Sequence, residues 1–127
     1  MDTSAIVTLL AGREYARELR AYLTDRTATH LGTSTIGFVE TVRTLDLLGD
    51  FPTVMQDLDR DYTEILLTDE VRDAAAILPG RLRALDAVHV ASAQVLGDAL
   101  DVLISYDKRM VEAAQGAGLP IAAPGLR

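Results

Sequence analysis

The chain has 127 residues, 49% of them apolar, with no cysteine and a formal charge of −7. That suffices for one domain with its own core, and it excludes disulfides, thiolate nucleophiles and cysteine-based zinc sites. No apolar run approaches the ~18 residues of a membrane span and no signal-peptide pattern opens the chain, so a cytoplasmic protein is expected. In chain order, residues 4–11 (SAIVTLLA) and 14–25 (EYARELRAYLTD) predict helices, the second with Tyr15, Leu19, Tyr22 and Leu23 at helical spacing. A short strand is expected around 29–34, then a helix over 34–49 with Ser34 as N-cap and Gly49 as stop. Pro52 suits the first turn of a helix running to 61, and YTEILLT reads as a strand by its β-branched and apolar content. A helix over 69–78 ends at Pro79-Gly80, and a strongly apolar helix follows over 85–97. VLISY reads as a buried strand, DKRMVEAAQGAG as a helix closed by glycines, and PIAA as a last short strand.

No repeat, linker or low-complexity tract interrupts residues 1–127, which read as a single domain. Helices alternating with short apolar strands imply right-handed crossovers and an α/β fold, a short mainly parallel sheet with helices on both faces. Residues 40–73 hold ten acidic and three basic side chains, so the negative excess is regional and the flanking segments are neutral. Arginines gather instead at Arg13, Arg17, Arg20 and Arg26 and at Arg81 and Arg83, with Lys108 and Arg109 as a further pair. A charge of −7 argues against nucleic acid only until this distribution is considered.

In open α/β sheets, functional residues collect beyond the carboxyl ends of strands. Asp2 ends whatever remains of a first strand, Asp107 follows VLISY, and Asp86 starts the apolar helix. Each has a plain alternative as a helix N-cap. Glu40 lies within a helix, bordering its buried stripe at Ile36, Gly37 and Leu47, and its plain alternative is an i,i+3 ion pair with Arg43. Four carboxylates brought together would repel one another unless protons or cations compensated. Oxygen donors without histidine or cysteine favour Mg²⁺ or Mn²⁺ over zinc. Such ions activate water and neutralise a phosphodiester, so hydrolysis of nucleic acid is the leading chemistry.

DTSAIV, STIGFVETVR, LRALDAVHVASA and ISYDKRM occur in that order over essentially the whole chain. Together they resemble the four acidic motifs of PIN-domain ribonucleases, in particular the VapC-type toxins of bacterial toxin–antitoxin modules. The resemblance implies a metal-dependent endoribonuclease that inhibits translation, with Asp2, Glu40 and Asp86 as the core of a catalytic, metal-binding cluster. Asp107 would act directly or through water, and Ser105, two places earlier, would orient that carboxylate or a bound water. Thr3 and Ser4 would support the cluster and cap the helix. It further implies Mg²⁺ (Mn²⁺ possible) as cofactor, RNA as substrate, a homodimer, and a cognate VapB-type antitoxin that wraps the toxin and can place a basic side chain in the acidic site. His89, one turn after Asp86, has the plain reading of a packed, hydrogen-bonded histidine. Arg43, Arg81, Arg83, Lys108 and Arg109 flank the expected mouth in sequence, and some would meet RNA phosphates.

One departure stands out, since such proteins carry several apolar residues before the first aspartate, as a central strand, and here only Met1 precedes Asp2. The first strand is therefore expected to be truncated through a start at an internal methionine, and a chain extended upstream by a short apolar segment to melt higher. Two rivals are a receiver-like phosphoacceptor domain, which would require an acidic pair at the first strand end, and a catalytically idle PIN-like binding module whose acids serve only as caps and ion pairs.

Overall fold

The computed structural model describes residues 1–26 and 29–126. Helix α1 (Thr3–Ala11) is capped by Asp2, whose side chain accepts from the Ala5 N–H, and stops at Gly12, where φ of 65° suits a residue without Cβ. Helix α2 (Ala16–Thr24) is entered through Tyr15, at φ 72°, whose ring stacks on Tyr106 at 5.7 Å between centroids. Strand β1 (Gly32–Ser34) runs directly into α3 (Thr35–Leu48), with Ser34 as its cap and Gly49 as its stop, as expected. Then come α4 (Val54–Asp61), β2 (Thr63–Ile65), α5 (Asp69–Ile77), α6 (Ala84–Gln94), β3 (Leu103–Ile104), α7 (Lys108–Gly116) and β4 (Ile121–Ala122).

The strands are shorter than their apolar runs suggest. Pairing stops at Ile65 because its partner β1 turns into a helix there, leaving Leu66 and Leu67 without a ladder and exposed. Helix α4 begins at Val54 rather than Pro52, since the Val54 N–H closes a turn on the Phe51 carbonyl. Asp86 does not cap α6; Arg83 holds the cap position and Asp86 lies in the first turn.

All strand pairing is parallel, giving the expected α/β fold, but the strands form two separate pairs, β1 with β2 and β3 with β4. The start of the chain bridges them. The Met1 ammonium donates to the Gly32 carbonyl at 2.6 Å, while the Asp2 N–H donates to the Ile104 carbonyl at 3.1 Å. Ile6, Val7, Leu19, Leu45 and Leu58 fill the main core around Met1 and Ile104. Helices α3 and α6 both contact β1, and α1 packs on α3, which turns the starts of α1, α6 and α7 toward one acidic pocket. Among the described residues, no helix is long and apolar enough to cross a membrane.

Candidate active site: an acidic pocket

Asp2, Glu40, Asp86 and Asp107 line one cavity of about 600 Å³. They reach it from four segments distant in sequence: the N-cap of α1, the second turn of α3, the first turn of α6 and the N-cap of α7. Asp2 is only 3% exposed. Its Oδ1 accepts from the Ala5 N–H at 3.0 Å and the Ser4 hydroxyl at 2.7 Å, and its Oδ2 from the Ser105 hydroxyl at 2.5 Å. Burial pushes the Asp2 carboxyl above its ordinary range, against the pull of those three hydrogen bonds and of the Met1 ammonium.

Ser105 is buried and joins two of the acids. Its hydroxyl donates to Asp2 and accepts the Asp107 N–H at 3.0 Å, so the carboxylate it orients is that of Asp2 rather than of Asp107. Ser4 similarly donates to Asp2 and accepts the Tyr106 N–H at 2.9 Å, tying α1 to the end of β3. Thr3 donates to Glu40 Oε1 at 3.0 Å and so holds the α3 acid to the α1 cap.

Among the described residues Glu40 makes no ion pair with Arg43; both side chains line the cavity instead. Asp107 Oδ1 caps α7 by accepting the N–H groups of Arg109 at 2.9 Å and Met110 at 3.4 Å. Asp86 makes no side-chain hydrogen bond to any described residue. Burial first, and then the charge of Asp107, push its carboxyl above the usual carboxylate range, while Arg83 and Arg109 draw it back. The cavity thus opposes the charge it contains.

His89 also lines the cavity but is buried, with Nδ1 and Ser34 Oγ 2.7 Å apart. Burial, aided by the positive chain terminus, pushes its pKa down to about 3, so at neutral pH it is an uncharged packing residue, as its plain reading expects. A second cavity of about 730 Å³ adjoins the first, shares Glu40, Leu85, Asp86 and Asp107 with it, and adds Arg83, Lys108 and Arg109. Arg81 lines neither. Arg13 was visible in the sequence only as one of a run of arginines; the αL turn at Gly12 carries the chain past it at the cavity edge.

The donors fit a hard divalent cation. All are carboxylate oxygens, and positive charge would relieve the burden on Asp86 and Asp2. Among the described residues no three such groups already converge as a finished ligand set. Asp69 and Glu70, the acidic pair that follows β2, begin α5 and line neither cavity, so the receiver-like arrangement does not form.

The sequence pattern of the PIN domain family matches residues 1–116. Ribonuclease VapC35 of Mycobacterium tuberculosis is 35% identical over 133 residues, an alignment covering 98% of this chain and 96% of the relative. Ribonuclease VapC47 of the same species is also 35% identical, over 130 residues, with the same coverage. Ribonuclease VapC46 is 36% identical over 126 residues, covering 98% of this chain and 95% of the relative. No solved structure matches the chain significantly.

Proposed function

This chain belongs to the PIN-domain family, and on that premise we infer that it is a metal-dependent endoribonuclease of the VapC type, the toxin of a toxin–antitoxin pair. The observation that carries the reading is the convergence of four acids, from residues 2, 40, 86 and 107, on one cavity. Asp2, Glu40, Asp86 and Asp107 are the residues that would hold the divalent ion, Mg²⁺ in the first instance and Mn²⁺ as a substitute. When bound, such an ion supplies an activated water and neutralises charge on the phosphodiester under attack.

The chain's own residues prepare that site. Ser4 and Ser105 fix the Asp2 carboxylate from both sides, and Thr3 restrains Glu40. Asp107 spends one oxygen on capping α7, while Oδ2 carries no hydrogen bond to the described residues and faces no competitor for a ligand. Neutral His89 supports the floor and carries no proton for the reaction at physiological pH. Single-stranded or looped RNA suits an open cavity better than a duplex, because its bases and backbone are accessible.

The partners in this reading are RNA, a VapB-type antitoxin and a second copy of the chain, acting in the cytoplasm. Ile77, 83% exposed on α5 and outside both cavities, supplies apolar surface of the sort that a protein partner covers. Cleavage of purified total RNA by the isolated protein in Mg²⁺ or Mn²⁺, beside EDTA and an Asp86→Asn variant, is the test. Discrete metal-dependent fragments absent from the variant support the reading; fragments that persist in the variant, or no cleavage by a folded, metal-binding protein, favour the idle binding module.

A further inference from the structure

Five cations line two adjoining cavities that share the acidic site. Arg13 and Arg43 line the first cavity, Arg83, Lys108 and Arg109 the second, and the wall common to both carries Glu40, Asp86 and Asp107. Resting on the ribonuclease reading, we propose that the RNA strand crosses the site at this shared wall. Arg13 and Arg43 take the phosphate and nucleoside on one flank of the scissile bond, and Arg83, Lys108 and Arg109 take the phosphates on the other.

Three observations carry this. First, the ion pairs formed among the described residues use only Arg60 and Arg72, both inside the acidic stretch, so none of the five cations is locked in a salt bridge, although Arg83 and Arg109 lie near enough to Asp86 to draw its carboxyl down. Second, Arg83 occupies the N-cap of α6, and Lys108 and Arg109 are the first two residues of α7. The positive end of a helix disfavours cations, so these side chains sit where local stability opposes them and where an incoming polyanion would favour them.

Third, the two flanks differ in chemistry. The first cavity adds an aliphatic wall of Val7, Ile36, Val39 and Leu47, and Leu47 is almost fully exposed. The second offers Ala84 and Leu85 beside its three cations. One flank can therefore hold a base against apolar surface, whereas the other reads only charge. Choice of cleavage site belongs to the Arg13–Arg43 side and sequence-independent affinity to the Arg83–Lys108–Arg109 side.

The test measures binding of a mixed-sequence single-stranded oligoribonucleotide to the Asp86→Asn protein as a function of salt, with melting temperatures to confirm folding. Replacing Arg83, Lys108 and Arg109 by Gln should flatten the slope of log K against log salt by about 2, and replacing Arg13 and Arg43 by about 1.4, at ~0.7 per phosphate contact on a single strand. Arg60→Gln, outside both cavities, should leave it unchanged. In the cleavage-competent chain, Leu47→Ser should redistribute cut sites in total RNA, and the Arg83, Lys108 and Arg109 replacements should weaken all cuts alike. Unchanged slopes in folded charge variants of a protein that does cleave RNA would overturn the track and leave the nuclease standing. A protein that shows these slopes yet never cleaves would overturn the nuclease reading itself.

Discussion

Asp86 is the residue where function and stability pull apart most openly. Its carboxyl is raised by burial and by Asp107, so Asp86→Asn removes a repulsion while also removing a donor from the site. The variant is expected to melt no lower than the parent and to lose RNA cleavage, a separation typical of groups held against their own stability. Thermal melts paired with a fragment assay check it. Ser105→Ala acts differently, because it frees the Asp2 carboxylate from one of its holders; a loss of about 10–100-fold in activity is expected in a kinetic titration with metal. His89 supplies the pH dependence. Its folded pKa of about 3 lies below the ordinary histidine value of 6.5, so the unfolded chain binds the extra proton between those two values. Stability from this group is intact above pH 6.5 and falls by about 1.4 kcal/mol per pH unit as the solution is acidified through the window. Denaturant melts of His89→Gln against the parent, from pH 7 down to pH 4, should show the shallower decline in the variant.

At the scale of elements, the α3–α6 contact decides whether Glu40 reaches the pocket. Gly37 lies one turn before Glu40, and a Cβ there would collide with Thr33 Oγ1 and press on His89 Cε1 at 3.2 Å. Alanine is the better helix former by up to about 1 kcal/mol, but overpacking a buried site costs about 1–3 kcal/mol. Thr33 is β-branched, buried and fixed on β1, so the collision wins and Gly37→Ala is expected to lower the melting temperature. Helix α3 was legible at its ends because those signals are local, Ser34 at one and Gly49 at the other. Of the stripe expected beside Glu40, Gly37 is buried and Ile36 half-buried, but Leu47 is 87% exposed, because the buried face runs through Gly37, Thr41 and Leu45 instead. Asp86 lies about one turn inside the position its sequence suggests, since an aspartate before an apolar run resembles a cap, whereas the chain has already entered the helix at Ala84. The Ser4, Ser105 and Tyr106 hydrogen bonds were not legible as a network, because they join residues about a hundred positions apart and no periodicity records such pairing.

Across the whole molecule, the bridge at Met1 and Asp2 substitutes for a continuous sheet. The Met1 ammonium is buried against the Gly32 carbonyl, and burial pushes it down to about 6, with Asp2 pulling the other way. A chain extended by a few apolar residues ahead of Met1 replaces that ammonium with a peptide N–H and fills the cleft between β1 and β3, and is expected to melt higher than one carrying a polar extension of equal length. Metal acts globally too. With Mg²⁺ or Mn²⁺ at roughly 100 times its dissociation constant, stability should rise by about 2.7 kcal/mol, an increase that Asp86→Asn abolishes in the same melting experiment.

The Asp2–Ser105 hydrogen bond spans 103 positions, so the order of synthesis matters. A ribosome delivers Asp2 before Glu40 and Asp86, and only after all three the β3 segment that holds Asp2 through Ile104 and Ser105. Until that segment emerges, Asp2 has neither its strand partner nor its serine. The pocket is therefore completed only after the segment carrying Ser105 has been made, and a shorter nascent polypeptide lacks a fixed Asp2 carboxylate.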